Sequence, residues 1–249
     1  MMTEIGSIPV VINSRDRLEP MRHLINWLYS ANMRNIWICD NASSYPPLLE
    51  FLSGLSNVVY LDRNLGHRAP WLSGLVPRLG RNSHFIVTDP DVVPDENCPK
   101  DAVAHFYELL KRYPHEDKVG FGLKIDDLPS HYAHRSRVFA WESQFWKDEL
   151  EPGVFRAPID TTFALYRPGL GHSNNKALRT GAPYVARHTP WYVNSVDLSE
   201  EQRWYVDHAD KAVSNWDQST LPAWLRLLAD NCVTDLELHD DSNDVDEAG

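Results

Sequence analysis

The sequence predicts an α/β fold whose mostly parallel central sheet is flanked by helices, and three observations predict it. Short β-branched apolar runs alternate with stretches of helical periodicity through the first half of the chain. Each of the first four runs ends in a cluster of polar residues. The fourth, Phe85-Ile86-Val87-Thr88, stops at Asp89-Pro90-Asp91, where a proline blocks further strand pairing. Alternation of this kind builds a parallel sheet covered on both faces, with ligands held outside the carboxyl ends of the strands.

In chain order, Ile8-Pro9-Val10-Val11-Ile12 reads as a buried strand running into the polar loop Asn13-Ser14-Arg15-Asp16-Arg17. A helix follows over 20–31, with Leu24, Ile25, Trp27 and Leu28 on its apolar face. Residues 35–39 form the second strand and deliver Asp40-Asn41-Ala42-Ser43-Ser44 to the same edge. Pro46-Pro47 then opens a helix, where the missing amides cost nothing because a first turn leaves them unpaired. The third strand, 58–61, ends in Asp62-Arg63-Asn64-Leu65-Gly66-His67-Arg68, and a helix interrupted near Pro70 and Pro77 leads on to the acidic strand end. Beyond it, 101–113 is an amphipathic helix and 119–125 a strand ending in Asp126-Asp127. The alternation then loosens. Residues 135–146 read as helix, 154–157, 162–166 and 184–187 as strands, and 200–209 and 221–228 as helices.

A chain of 249 residues with 43% hydrophobic and 24% charged content has enough apolar material for one sizeable core. With no internal repeat or interdomain linker, a single domain is expected over 1–234. An acidic tail expected to be disordered follows over 235–249. The net charge of -11 argues against a nucleic-acid surface. Cys39, Cys98 and Cys232 are few, odd in number and without CxxC spacing, so neither a disulfide framework nor a zinc site is suggested, and a reducing cytoplasm fits. No charged-then-apolar leader is visible, nor a run near the roughly 18 apolar residues that span a bilayer, so membrane contact is at most peripheral.

Two acids one residue apart at a strand mouth repel each other, and neither is stable if buried unpaired. A divalent cation removes that cost. Oxygen ligands favour Mg²⁺ or Mn²⁺, which take one or two protein carboxylates and complete their shells with water and substrate phosphates, so a diphosphate ligand is implied. The bland alternative is a turn in which Asp89 and Asp91 cap the next helix.

The order of these parts resembles the GT-A fold of nucleotide-sugar glycosyltransferases, especially the broad family 2 type, over roughly residues 7–195. The resemblance rests on Asn13 with Arg15 after the first strand, Asp40 after the second, Asn64-Leu65-Gly66 before the acidic pair, and Asp89-Pro90-Asp91 as an Asp-x-Asp motif. It implies a Rossmann-like nucleotide-binding half over about 7–95 and an acceptor half over about 96–234. Asn13 with Arg15 would touch the base and Asp40 would hold it, while Asp89 would approach the ribose and reach the metal directly or through water. Asp91 would be the direct metal ligand. One departure stands out: where the family often has Ala-Arg-Asn-x-Gly after the glycine, this chain has Arg68-Ala69-Pro70-Trp71. The activity implied is metal-dependent transfer from a nucleotide-sugar, a UDP-sugar first, to a carbohydrate or lipid-linked acceptor, with inversion. A sugar-phosphate nucleotidyltransferase is the alternative enzyme, but its usual Gly-rich first loop is absent here. A non-catalytic carbohydrate-binding domain of the same fold is the non-enzymatic alternative.

Four further groups complete the expectation. The resemblance implies that a late histidine returns to the metal or diphosphate, which points to His188, whose alternative is packing on Trp191 or Tyr192. Arg63, Arg68 and Arg187 offer positive charge to phosphates. An inverting transferase needs a general base, and Asp160, one acid between two expected strands, is the first candidate, with partial desolvation raising its pKa. It can instead anchor a turn through Thr161 or Thr162. Asp126, Asp127 and Glu142 are the other candidates for the base. Trp141, Phe145, Trp146, Trp191, Tyr192, Trp204 and Tyr205 offer a platform for a sugar face, or simply core.

Overall fold

The computed structural model describes residues 4–173 and 175–209; the helix expected at 221–228, Cys232 and the acidic tail lie outside them. The first strands are β1 (Val10–Ser14), β2 (Ile36–Asp40), β3 (Val58–Tyr60) and β4 (Phe85–Thr88). They pair in parallel in the order β3-β2-β1-β4, with Ile12 beside Ile38 on one side and Thr88 on the other. That shared register brings Ser14, Asp40 and Thr88 to one edge, and the polar clusters after them meet there.

The crossovers follow from side-chain alternation. Val10, Ile12 and Ile86 face one side, where they pack with Met21, Leu24 and Leu28 of α1 (Glu19–Ser30) and Leu48 and Leu52 of α2 (Pro46–Ser53). Val11, Phe85 and Val87 face the other side, against Ala69, Leu75 and Val76 of α3 (Ala69–Leu72) and α4 (Leu75–Leu79). The single interrupted helix expected here is thus two short ones. Gly74 separates them with a φ of +78°, a left-handed turn that a side chain would strain.

The second half comprises β5 (Val92–Pro94), α5 (Ala102–Arg112), β6 (Lys118–Leu123), α6 (Arg135–Glu142), β7 (Glu149–Glu151), β8 (Val154–Arg156), β9 (Ala164–Tyr166), β10 (Ala177–His188) and α7 (Glu200–His208). Its strands extend the same sheet, in the order β3-β2-β1-β4-β9-β6-β10-β8-β7, with β5 paired to β10. Strands β3, β2, β1, β4, β6, β10 and β7 run one way, and β9, β8 and β5 the other. This is the mostly parallel, helix-flanked sheet that the alternation of strands and helices predicts.

Several elements differ from expectation. β10 is far longer than the strand expected at 184–187, because Gly181 and Pro183 sit in a bulge where its pairing to β6 shifts register between Thr180 and Val185. β5 and β7 are short strands that the sequence did not mark. β6 ends at Leu123, so Asp126 and Asp127 lie beyond the strand end, in a turn. α6 stops at Glu142 and continues as a 3₁₀ turn over Ser143–Trp146.

Two of these strands assemble the edge. β9 runs antiparallel between β4 and β6, so the loop before it returns to the carboxyl end of β4, where Asp89 N donates to Thr161 O at 3.1 Å. The approach is tight: a Cβ on Gly120 of β6 would lie 2.3 Å from Phe163 O. β5 pairs with the end of β10, His188 opposite Val92, and Thr189 N donates to Asp91 O at 2.9 Å. Among the described residues no helix is long and apolar enough to cross a membrane.

Candidate active site

A cleft of about 1120 Å³ opens at this edge. Its walls include Asn13 near the end of β1, Arg15 and Arg17 from the loop after it, Asn41 from the loop after β2, and Asn64, Gly66 and His67 from the segment after β3. Asp89 and Asp91 come from the end of β4, Asp160 and Thr161 from the loop before β9, and His188 and Trp191 from the end of β10. Tyr132, His134 and Arg137 close it on one side, and Gln202, Tyr205 and Val206 of α7 close it above the first loop.

The loops are fastened to one another. Arg15 Nη1 donates to the carbonyls of Asn41 at 2.9 Å and Ala42 at 3.1 Å. Asn41 Nδ2 donates to Asn64 Oδ1 at 2.8 Å and Gly66 O at 3.1 Å, while its Oδ1 accepts from Leu65 N at 2.7 Å. Asp16 Oδ1 takes the amides of Ser44 and Tyr45 at 2.6 and 2.8 Å, across from the first loop to the start of α2. Asp16 and Ala42 hold left-handed φ values of +50° and +58°, uncommon for residues with side chains and found where function constrains a loop.

The acidic pair splits into two environments. Asp89 is partly buried and accepts from Thr161 Oγ1 at 2.5 Å and Asn13 Nδ2 at 3.4 Å. Burial, reinforced by Asp91 and Asp160, pushes its carboxyl well above the usual range. Asp91 lies between two cations or potential cations, its oxygens 3.8 Å from Arg17 Nε and 3.8 Å from His188 Nε2. Burial lowers the His188 pKa against the pull of Asp91, which favours the neutral imidazole a metal requires. Its ring also tilts on Trp191, centroids 4.6 Å apart, so the packing alternative and the site position coexist.

Among the described residues, no three His, Cys, Asp or Glu side chains are grouped as a metal cage. Asp91 and His188 do converge, and His188 Nδ1 and Asn13 Oδ1 are buried without a protein partner. A carboxylate and an imidazole, with Asp89 beside them, are donors of the kind Mn²⁺ or Mg²⁺ takes when phosphate oxygens and water complete its shell, and do not suit a closed structural site.

The other expected residues divide. Asp160 lines the cleft, but it is exposed, so the desolvation expected of it is absent. Its Oδ1 accepts from Thr161 N at 2.7 Å, which makes it a turn anchor as well as a cleft residue. Asp127 does not line the cleft. It is clasped by Arg187 Nη2 and Tyr192 Oη, both at 2.6 Å, and although burial works against it, these bonds hold its carboxyl below the ordinary range. Asp126 is 76% exposed and pairs with Lys124 at 3.1 Å. Arg187 is committed to Asp95 and Asp127. Arg63 and Arg68 are exposed on the loop after β3 and are not among the cleft-lining residues. Asp40 lies behind the cleft, 2% exposed and hydrogen-bonded by Ser43 Oγ at 2.5 Å. Glu142 is buried against Arg179 at 2.8 Å. Of the aromatic platform, Trp191 and Tyr205 reach the cleft.

Sequence reasoning missed Arg17. It sits 5% exposed beside Asp91, stacks 3.6 Å over the Tyr205 ring and donates to Gln202 Oε1. Its place in the first polar loop, two residues after Arg15, was the available signal; its tie to α7 was not visible in the chain order.

Fold and site together define an α/β domain with an acid-lined, partly cationic cleft at the carboxyl edge of its sheet. No protein-family model matches the chain, and no curated protein does. Solved structures to which it is similar include a mannosyltransferase from Pyrobaculum calidifontis in complex with GDP-Man and Mn²⁺, at 12% identity and a TM-score of 0.43, covering 65% of this chain and 44% of that one. A second is glucosyl-3-phosphoglycerate synthase from Mycobacterium tuberculosis in complex with phosphoglyceric acid, at 13% identity and a TM-score of 0.41, covering 65% and 57%. A third, described as a mycobacterial protein, has 14% identity and a TM-score of 0.42, covering 72% and 68%. The chain thus spans about half the length of the first two.

Proposed function

We propose that the chain is a glycosyltransferase of GT-A type that moves a sugar from a nucleoside-diphosphate sugar to a hydroxyl acceptor, a carbohydrate or lipid-linked glycan, with inversion. One observation carries this reading: Asn13, Asp89, Asp91, Asp160 and His188, drawn from four separate strand ends, line a single cleft of about 1120 Å³. Small-ligand sites run to roughly 300–1,000 Å³, so this one has room for a nucleotide-sugar together with part of an acceptor.

Asp91 and His188 would hold Mn²⁺ or Mg²⁺, with Asp89 reaching it directly or through water; such an ion stabilises the charge that develops on the leaving diphosphate. The chain's own groups do the rest. Arg15 and Arg17 supply positive charge along the first loop, and Arg17 is held in place by Tyr205 and Gln202. Asn13 and Thr161 fix the Asp89 carboxylate, so its orientation does not depend on the donor. Asp160 takes the proton of the acceptor hydroxyl as the sugar carbon is attacked. One of its oxygens is tied to Thr161 N, which leaves the other for the acceptor.

The test is a panel of nucleotide-sugars, UDP-sugars first, assayed with Mn²⁺ for sugar release or transfer. One donor is expected to turn over, and Asp160→Asn should cut turnover by roughly 10²- to 10⁴-fold while nucleotide binding persists. Absence of both turnover and nucleotide binding across the panel would overturn the assignment.

A further inference from the structure

Lys118 opens β6 and is 1% exposed, one of the largest fully buried side chains of the fold. A lysine is almost never buried to this degree without a partner, because its ammonium exchanges water for fewer and weaker contacts. Its Nζ donates to Tyr166 Oη at 3.1 Å and to the main-chain carbonyl of Asp160 at 3.3 Å. Tyr166 Oη itself donates to the same Asp160 carbonyl at 3.4 Å. Two residues earlier in that loop, Pro158 O accepts from Arg179 Nε at 2.9 Å, and Arg179 is in turn buried against Glu142. Two buried cations therefore grip the underside of one loop. On its upper side that loop presents Asp160 and Thr161 to the cleft.

A loop of this length can be fastened by neutral groups at much lower desolvation cost, so a buried ammonium at this point asks for a reason beyond cohesion. The reason lies in what the loop carries. Asp160 Oδ1 accepts from the amide of the next residue, Thr161, so the position of its carboxylate is tied to the main chain of this loop, and that main chain is what Lys118 holds. The Asp160 charge in turn acts on the ammonium, opposing the effect of burial on Lys118. We infer that Lys118 is a positioning residue for the transfer reaction, holding the Asp160 carboxylate at the acceptor side of the cleft through the Asp160 carbonyl and Tyr166. This rests on the assignment of Asp160 as the base.

The experiment compares Lys118→Met, Tyr166→Phe, Asp160→Asn and the Lys118→Met/Asp160→Asn double variant. Transfer is measured with the nucleotide-sugar active in the panel, and binding by calorimetry with UDP or GDP and Mn²⁺. Methionine keeps the volume of the buried stem. Lys118→Met is expected to lower kcat by roughly 10- to 100-fold, the scale of a small misplacement at a reacting group, with the donor KM and the nucleotide affinity unchanged. Tyr166→Phe should lower kcat in the same direction and by less. The double variant should turn over no more slowly than Asp160→Asn alone, since positioning has no value once the base is gone. A full additive loss in the double variant would make Lys118 a structural residue and overturn the inference. So would wild-type kcat in both Lys118→Met and Tyr166→Phe while Asp160→Asn is impaired. If Asp160→Asn itself keeps wild-type turnover, the base assignment fails first and the inference with it.

Discussion

A lysine whose ammonium is offered only a phenol and a carbonyl has lost most of its hydration, and the consequence is measurable as pH dependence of stability. Burial pushes the Lys118 pKa from 10.5 down to about 8, against the opposing pull of Asp160. Between those values the unfolded chain binds the proton and the folded chain does not. Stability from this group is therefore fully present above 10.5 and lost as pH falls through about 8, a swing of roughly 3 kcal/mol at most. Urea denaturation of wild type and Lys118→Met at pH 7, 8 and 9.5 should show the variant equal or more stable at pH 7, with the difference shrinking as pH rises. Glu142 leaves that window clear, since burial lifts its carboxyl only from 4.5 to about 7. A flat difference between the two proteins would place the Lys118 ammonium in a solvated environment. At this scale the sequence was half legible. Asn13, Asp89, Asp91 and His188 were expected at one edge and do line the cleft there, because a strand end fixes where its last residues and the next ones go. Arg17 could not be found in this way, because its neighbours Gln202 and Tyr205 are nearly two hundred residues away. The clasp on Asp127 was hidden for the same reason: Arg187 and Tyr192 reach it only through the pairing of β10 with β6.

At the scale of elements, the acidic edge depends on how closely β9 lies against β6. Gly120 is the point of closest approach, where an added Cβ would lie 2.3 Å from Phe163 O and 2.8 Å from the Ala164 Cβ. Neither neighbour is the tip of a flexible side chain, so the strands themselves must separate. Gly120→Ala is expected to cost about 1–3 kcal/mol, the usual range for overpacking, or more if the pairing shifts. It should also weaken hydrogen-exchange protection of Phe121 N, which donates to Phe163 O at 3.1 Å. A variant with wild-type stability and protection would mean the β6–β9 spacing has slack. Element by element, the periodic first half was legible: β1, β2, β3 and β4 lie where β-branched runs end in polar clusters. β10 was read as a fragment because Gly181 and Pro183 are turn residues in sequence, yet the bulge absorbs them without ending the strand. β5 was invisible, since three residues after an acidic turn have no periodicity to show.

For the whole molecule, the sheet unites halves with different logic. Parallel crossovers announce themselves locally, one strand and one helix at a time. The antiparallel return of β9 between β4 and β6 joins segments about eighty residues apart in sequence, and nothing in the local pattern of 157–166 specifies it. That return is nonetheless what carries Thr161 to Asp89, and so joins groups from the two halves of the sheet in one cleft. A ligand spanning the cleft should therefore stabilise the fold as a unit. Any ligand that binds only the native state adds stability by mass action, about 2.7 kcal/mol at a hundred times its dissociation constant. Mn²⁺ with a nucleoside diphosphate is expected to raise the melting temperature of the wild-type protein, and neither component alone should do as much. Without a cation, the groups that offset the charge of Asp91 among the described residues are Arg17 and His188, each at 3.8 Å. Asp91→Asn keeps the side-chain shape and relieves the repulsion with Asp89, so the unliganded variant should melt no lower than wild type. It should nevertheless lose most of the shift on adding Mn²⁺ and nucleotide, because the amide is a poor ligand for a hard cation. Equal shifts in the two proteins would remove the acidic pair from the ligand site and leave the cleft without its proposed cation.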